Sequence, residues 1–204
     1  MTLPPAHVYD PRVATYPLRM RRWTRKEYEK LIDAGILHED EPIELIGGHM
    51  IVAEPKNAPH PTGVALTAEA LRKVFGRGWI VRQQDPVALD DESEPEPDVI
   101  VAPGRFRDYR HAHPAHPALI VEVADSSLSF DRQYKGSLYA RAGIADYWIV
   151  NLRRRVVEVY REPVVDRAAR FGWKYAKVRV LRETATVTPL AAATARIAVA
   201  DLLP

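Results

Sequence analysis

The feature that most constrains the fold is an apolar run that contains a single acid. Residues 118–124 read Ala-Leu-Ile-Val-Glu-Val-Ala, in which Glu122 alone is polar. A continuous apolar run of this length is typical of a central β-strand that is covered on both faces. Burying a carboxylate without compensation is unfavourable, so Glu122 must shift its pKa, pair with a cation or bind a metal ion.

The surrounding pattern mixes helices and strands. Thr24-Arg-Lys-Glu27 is a capping box that begins a helix ending near Gly35. Two apolar runs around Gly47-Gly48 predict a β-hairpin. Further helices are predicted over 61–75 and from Ser129, as its cap, to Gly143. The predicted strands are 79–89, 97–102, 118–124, 146–150, 156–161, 173–181 and 185–188. This order indicates an α/β (α+β) fold, a mixed β-sheet flanked by helices with added β-hairpins.

Composition excludes several classes of protein. The 204 residues include no cysteine, which excludes disulfides, iron–sulfur clusters, thiolate zinc sites and a cysteine nucleophile. Neither a signal peptide nor a run long enough to span a membrane is present, so we expect a soluble cytoplasmic protein with no membrane partner. We predict one domain over 1–204, with an extended arm at 1–22 and a C-terminal β extension at 163–204.

Charge is unevenly distributed, although the formal net charge is +2. Residues 85–98 hold seven acids and no base, and their prolines favour an exposed acidic loop. Residues 152–182 hold ten bases and three acids, and residues 1–26 hold six bases and one acid. Clustered bases are typical of surfaces that bind phosphate backbones. The alternatives are a solvated hairpin surface and an interface between subunits.

Two more acids are placed to meet Glu122. Asp98 begins the apolar strand at 99–101, and Glu44 interrupts the first strand of the hairpin. Three carboxylates on short adjacent elements suit a hard cation such as Mg²⁺ or Mn²⁺, which keeps water and substrate oxygens as further ligands. The alternatives are a Glu122 paired with Arg or Lys, an Asp98 that ends the acidic loop, and a Glu44 that faces solvent.

Three polar residues are candidates to complete the site. Asp131 and Lys135 lie at i and i+4 on the helix that follows Glu122. They either form an ion pair on the helix surface or lean towards the sheet edge where the acids would meet. A lysine at that edge could orient an attacking water or neutralise developing charge. His60 precedes a helix, and it caps that helix, contacts a phosphate or ligates a metal.

Taken in order, these segments resemble the Uma2 family (DUF820) of the PD-(D/E)xK restriction-endonuclease-like superfamily. The resemblance covers roughly residues 24–162. It rests on Ile43-Glu-Leu-Ile-Gly-Gly48, Pro59-His60, Pro97-Asp98-Val-Ile-Val, Leu119-Ile-Val-Glu122-Val-Ala-Asp-Ser-Ser-Leu128, Asp131-x3-Lys135, Tyr139-Ala-Arg-Ala-Gly143, Tyr147-Trp148-Ile-Val150 and Val157-Glu158-Val159-Tyr160.

The resemblance implies a restriction-endonuclease-like core and assigns roles. Asp98 and Glu122 match the metal-binding acids, Glu44 matches an acid that supports the metal or its water, and Lys135 matches the signature lysine moved to the following helix. His60, Asp131 and the basic turn of Arg153, Arg154 and Arg155 are candidates for substrate binding.

We therefore expect a Mg²⁺- or Mn²⁺-dependent endonuclease that hydrolyses phosphodiester bonds of DNA. The alternative is a non-catalytic nucleic-acid-binding or assembly protein, because Ala124 stands where the usual signature has lysine. A third hypothesis is a hydrolase of another phosphoester. The oligomeric state is left open, with a homodimer among the alternatives.

Overall fold

The computed structural model describes residues 20–38, 41–53 and 57–204. Most of the predicted arm, residues 1–19, lies outside the described residues. The helices are α1 (Arg25–Asp33), α2 (Pro59–Val74), α3 (Leu128–Phe130) and α4 (Gly136–Arg141). The strands are β1 (Ile43–Ile46), β2 (His49–Val52), β3 (Trp79–Gln83), β4 (Val99–Pro103), β5 (Leu119–Ala124), β6 (Asp146–Asn151), β7 (Val156–Val165), β8 (Trp173–Arg182), β9 (Thr186–Val187) and β10 (Ile197–Ala198).

Strands β3 to β8 form one six-stranded sheet in chain order. Its neighbouring strands are antiparallel except for β5 and β6, which are parallel. Parallel neighbours require a crossover, and the helical segment 128–141 supplies it. Every residue of β5 is buried, which agrees with the central strand predicted from its apolar run. The predicted mixed sheet flanked by helices is confirmed.

The two faces of the sheet carry separate cores. One core packs α2 and the C-terminal residues against apolar side chains such as Val121, Val123 and Trp148. The other packs α4 and the β1–β2 hairpin against Ile120, Ala124 and neighbouring residues. Because side chains alternate along a strand, Glu122 shares its face with Ile120 and Ala124. None of the helices in the described residues has the length and apolar character needed to cross a membrane.

Local sequence signals explain the first two elements. Thr24 and Glu27 form the predicted capping box of α1. In the β1–β2 hairpin, Gly47 and Gly48 both adopt positive φ, which glycine tolerates best. Gly47 has a second constraint, because a Cβ atom there would lie 2.5 Å from Phe171 Cε1.

The crossover segment departs from the prediction. It begins at Leu128, so the prediction of Ser129 as its cap is wrong. Its middle turn, Asp131–Lys135, is π-helical. The Asp131 carbonyl accepts from both the Gly136 N–H and the Tyr147 hydroxyl, the latter at 3.0 Å. A side chain inserted into the helical ladder is a known cause of such a turn, and π turns are frequent at functional sites.

The acidic segment 85–98 is the clearest wrong prediction. Glu94 and Asp98 are 3% and 6% exposed, and the prolines at 95 and 97 are also buried. The segment is held by the rest of the fold, since the Glu94 N–H donates to the Leu45 carbonyl at 2.7 Å. The predicted strand 79–89 correspondingly ends early, at Gln83, two residues before this segment begins.

Candidate active site

Two acids from adjacent strands form the centre of the site. Asp98 immediately precedes β4, and Glu122 lies within its antiparallel neighbour β5. The Asp98 N–H donates to Glu122 Oε2 at 3.3 Å, and the Val123 N–H donates to Asp98 Oδ2 at 2.9 Å. The backbone of each strand therefore holds the carboxylate of the other, so both side chains are fixed by the sheet itself.

Lys135 brings its ammonium group into this centre from the π turn. Its Nζ lies 3.1 Å from Glu122 Oε1 and 3.2 Å from each of the two Glu44 carboxylate oxygens. The Tyr139 hydroxyl, one helical turn further on, donates to Glu122 Oε1 at 2.7 Å. Lys135 is 6% exposed and Glu44 is 9% exposed, so the alternatives of a helix-surface pair and a solvent-facing Glu44 are both wrong.

Asp131 is the fourth carboxylate of the cluster. It is 3% exposed, and the Ser127 hydroxyl donates to its Oδ2 at 2.6 Å. Asp131 and Lys135 begin and end the π turn, which places both on the side that faces the sheet. Four carboxylates therefore act on one ammonium group, two of them in direct ion pairs, which leaves an excess of negative charge in a buried site.

Within this cluster of negative charge, the pKa values of the acids shift in opposite directions. Burial, together with the carboxylates of Asp98, Asp131 and Glu44, raises the pKa of Glu122 to about 8 against the opposing effect of Lys135. Burial likewise raises the pKa of Asp131 to about 6. Burial also acts to raise the pKa of Asp98, but His60 and the Val123 N–H outweigh it and lower that pKa. Near neutral pH, Asp98 is therefore ionised, whereas its surroundings shift Glu122 towards the protonated form.

The charge on Lys135 is strongly stabilised. Burial favours its neutral form, but the carboxylates of Glu122, Glu44, Asp131 and Asp98 outweigh burial and raise the pKa of Lys135 well above its ordinary value. An ammonium group has three donors and no acceptor. Lys135 is therefore a fixed cation and cannot serve as a general base near neutral pH.

His60 lies behind Asp98 in the first turn of α2. Its Nε2 is 3.1 Å from Asp98 Oδ2, and its Nδ1 is buried without a hydrogen-bond partner among the described residues. A close helix–sheet contact sets this position, because a Cβ atom on Gly63 would lie 2.9 Å from Val123 Cγ1. Of the three alternatives for His60, capping is wrong, because the N-cap of α2 is Ala58 and no side chain bonds there, while contact with a phosphate or a metal ion stays a prediction. The histidine orients an acid of the cluster.

A cavity of about 420 Å³ opens onto the carboxylates. One wall is apolar and comes from the β1–β2 hairpin, through Ile46, Ile51 and Val52, with Phe130 also in the lining. The other wall is polar and includes Asn57, Asp125 and Ser126. The cavity that leads to the buried acids is thus lined by both apolar and hydrogen-bonding side chains.

The basic turn contributes one residue near this entrance. Arg153 Nε donates to Asp125 Oδ1 at 2.8 Å, and Asp125 lines the cavity. Arg154 is exposed, and Arg155 is paired through two nitrogens with Glu183. Neither Arg154 nor Arg155 lines the cavity. The structure therefore brings Glu44, His60, Asp98, Glu122, Asp131 and Lys135 together, with Arg153 at the rim.

The sequence predictions missed two hydrogen-bonding partners. Tyr139 and Ser127 donate to Glu122 and Asp131 respectively. A signal for Tyr139 existed, because it follows Lys135 by four residues and residues at this spacing share a helix face. No comparable signal marked Ser127, whose contact depends on how the crossover segment leaves β5.

The chemistry of the cluster fits a divalent cation. The available donors are carboxylate oxygens, which Mg²⁺ and Mn²⁺ prefer. Glu44 Oε2 is buried and accepts no aligned hydrogen bond from the described residues. Within residues 20–38, 41–53 and 57–204, no three His, Asp or Glu side chains are arranged to hold a metal ion. Such an ion would thus combine Asp98 and Glu122 with ligands from water and substrate.

Comparison with known proteins agrees with this architecture. A similar fold occurs in the crystal structure of a protein from Anabaena variabilis described as a putative nuclease belonging to DUF820. The TM-score is 0.66 at 17% sequence identity, and the match covers 88% of this chain and 96% of that chain. At this identity the likeness concerns the fold alone. No curated protein matches the chain.

A family model gives the relationship directly. The Uma2 model, described as "Putative restriction endonuclease", matches residues 25–200. This span includes β1 to β10 and every residue of the carboxylate cluster. The resemblance found in the sequence is thereby confirmed over most of the chain. The chain belongs to the Uma2 family.

Proposed function

We propose that this protein is a Mg²⁺- or Mn²⁺-dependent endonuclease that hydrolyses phosphodiester bonds of DNA. The observation that carries the proposal is the meeting of Asp98 and Glu122, from adjacent strands, with the ammonium group of Lys135 at 3.1 Å from Glu122. Two acids and a lysine around one point are the set that the family signature describes. Membership of a family of restriction-endonuclease type supports the same chemistry.

Asp98 and Glu122 are the residues that would hold the cation. Asp98 is ready to bind, because His60 and the backbone keep it ionised and oriented. Glu122 releases its proton on binding, because a carboxylate must be ionised to serve as a ligand. A bound divalent cation would supply charge stabilisation at the phosphate and lower the pKa of an attacking water.

Lys135 supplies fixed positive charge beside the reacting phosphate. In the usual signature a lysine follows the second acid at the position of Ala124, which is fully buried here among apolar side chains. Lys135 reaches the same acid from the helical segment instead. A preorganised cation in a water-poor site stabilises negative charge that develops in the transition state. Glu44 holds the ammonium group from the opposite side.

Cleavage of plasmid DNA in Mg²⁺ or Mn²⁺ tests the proposal. We expect the wild-type protein to cut and the Asp98→Asn variant to lose activity by about 10²–10³-fold or more. Glu183→Gln is the matched control, because it removes a carboxylate that pairs with Arg155 outside the cavity. Cleavage that persists in Asp98→Asn, or wild-type protein that cuts no nucleic acid with either metal, would contradict the proposal.

A further inference from the structure

A second cavity lies beside the π turn, on the side away from the carboxylates. Its volume is about 530 Å³, and it is lined by residues of the π turn, the start of α4, the loop at 168–170 and strands β7 and β8. Aromatic side chains form much of its lining, namely Tyr134, Tyr160, Trp173 and Tyr175. The other polar lining groups include Arg132, Arg170 and Lys174, and no Asp or Glu from the described residues lines it. Its character is thus aromatic and basic.

An aromatic column connects the two cavities. Phe130 lines the carboxylate cavity and is stacked on Tyr134, which lines the second cavity. The two ring centroids are 5.0 Å apart, with an interplanar angle of 15°. The Arg170 guanidinium lies 4.8 Å from the Tyr134 centroid, and Phe171 packs edge-on against the same ring. The stacked pair therefore links the lining of the carboxylate cavity to the basic loop.

Arg170 is the cation in this lining that is available to a ligand. Arg132 is bound by Glu158, and Lys174 is bound by Asp166. Within the described part of the chain, no carboxylate pairs with Arg170, and its side chain is exposed. A guanidinium plane next to an aromatic column is suited both to stacking on a base and to binding a phosphate.

We propose that this aromatic and basic cavity binds a single-stranded segment of the nucleic acid, next to the bond to be cut. A base would stack on the guanidinium of Arg170, which lies over Tyr134 and continues the column outward, and would contact Trp173, while the same guanidinium binds the adjoining phosphate. Such platforms recognise single strands because their bases expose both faces, whereas a duplex covers those faces by stacking. The inference rests on the proposed function, since the bound segment would belong to the nucleic-acid strand whose phosphate reaches the carboxylates.

The carboxylate cavity favours the same substrate. Asp98 and Glu122 are 6% and 3% exposed, at the bottom of a cavity of about 420 Å³. A single strand can bend a phosphate into such a space more easily than a stiff duplex can. We therefore expect a preference for single-stranded DNA or RNA, or for the unpaired part of a branched DNA, over a continuous duplex.

Binding is tested without cleavage, using fluorescently labelled DNA strands of about 12 nucleotides in EDTA, a length within the usual range for such sites. We expect Tyr134→Ala to weaken binding by about 5- to 150-fold, the range of one lost stacking contact. Phe106→Ala is the matched control, because Phe106 is an exposed aromatic residue after the far end of β4. Anisotropy gives the dissociation constants, and circular dichroism verifies folding.

A second pair of variants removes exposed side chains and leaves the buried aromatic residues in place. Arg170→Ala removes an exposed side chain, and we expect it to weaken binding and to reduce the salt dependence by about one phosphate contact. Arg167→Ala is its control, because Arg167 is an exposed base in the same loop that does not line the cavity. Equal effects of the two arginine variants would overturn the proposal.

The remaining outcomes come from varying the nucleic acid that is bound. Single-stranded DNA and RNA of one sequence show which sugar is preferred, and either result agrees with a stacking platform. A duplex that binds as tightly as its separate strands would overturn the proposal, and so would a wild-type protein that binds no strand. Binding that Tyr134→Ala and Arg170→Ala weaken, in a protein that never cleaves, would support the platform and contradict only the nuclease proposal.

Discussion

Two buried glutamates on one face of the sheet have opposite surroundings. Glu122 on β5 and Glu158 on β7 both pair with Ile149 of β6, so the three residues form one row across the sheet. Glu122 is 3% exposed and Glu158 is 1% exposed. Although burial acts to raise the pKa of both, the pKa of Glu122 rises to about 8, whereas that of Glu158 falls below its ordinary value.

The difference comes from their hydrogen-bond donors. Glu158 accepts two bonds from Arg132, at 2.8 and 2.5 Å, and one each from Asn151 and Tyr160. Glu122 shares one ammonium group with three other carboxylates. The charge of Glu158 is fully paired where it stands, whereas a buried excess of like charge such as that around Glu122 is typical of functional sites, which supports the proposed cation site. Glu158 and Arg132 also hold the π turn that carries Lys135.

The largest expected contrast between the two glutamates is in cleavage. Glu122→Gln removes a proposed metal ligand, and we expect DNA cleavage to fall by about 10²–10³-fold or more. Glu158→Gln leaves the carboxylate cluster complete, so we expect a loss of less than about 10-fold, through looser positioning of the π turn. Initial rates on one DNA substrate measure both. Similar losses in the two variants would remove the functional distinction between them.

The next contrast concerns the cation within the cluster. Lys135→Met keeps the length of the side chain but removes its charge. We expect kcat to fall by about 10²-fold with little change in KM, because the lysine acts on charge that develops in the transition state. Lys73→Met is the control, because the same substitution there removes the charge of an exposed lysine on α2 that pairs with Glu69 outside both cavities. A change in KM alone would assign Lys135 to substrate binding.

We expect the two glutamine substitutions to affect stability in the opposite order to cleavage. Glu158→Gln breaks a paired and hydrogen-bonded buried charge, and we expect the free energy of unfolding to fall by about 2–3 kcal/mol at pH 7. Glu122→Gln is neutral without taking up a proton, whereas the wild type must protonate Glu122 on folding at pH 7, so the stability of the variant without metal should equal or exceed that of the wild type. Urea unfolding measures both. A large loss of stability in Glu122→Gln would show that Lys135 already compensates the cluster.

The smallest expected contrast is in the pH dependence of unfolding, without metal. An acid whose pKa is raised in the folded chain stabilises it while protonated. The stabilisation from Glu122 is therefore lost as the pH rises from 4.5, the ordinary pKa of a glutamate, to about 8, the pKa of Glu122 in the folded chain. Glu158, with a lowered pKa, stabilises the fold above 4.5 and loses that effect in acid. Unfolding free energies relative to each glutamine variant should slope in opposite directions with pH.

The sequence predicted the elements that carry the site, because each has a local signal. The apolar run around Glu122, the capping box at Thr24 and the glycine pair of the hairpin all depend on neighbouring residues. The match to the Uma2 pattern then predicted which acids meet. The convergence of Asp98, Glu122 and Lys135 could be expected on that basis, although their distances could not.

What could not be predicted depends on partners distant in sequence. The acidic segment looked solvated, but Arg141 reaches Asp90 across 51 residues and Leu45 accepts from the Glu94 N–H. The π turn is contacted by Tyr147 of β6, whose hydroxyl donates to the Asp131 carbonyl. The tight pairing of Glu158 with Arg132 likewise spans 26 residues. Neither composition nor periodicity contains these contacts, which arise only when the sheet assembles.

The most direct test of the central claim is a calorimetric titration of Mn²⁺ into the wild type, Glu122→Gln and Glu158→Gln. We predict that the wild type and Glu158→Gln bind the ion and release a proton near pH 7, because Glu122 must ionise to become a ligand. Glu122→Gln should lose both the binding and the proton release. A wild type that binds no Mn²⁺, or equal binding by all three proteins, would contradict the claim that the carboxylate cluster is a cation site.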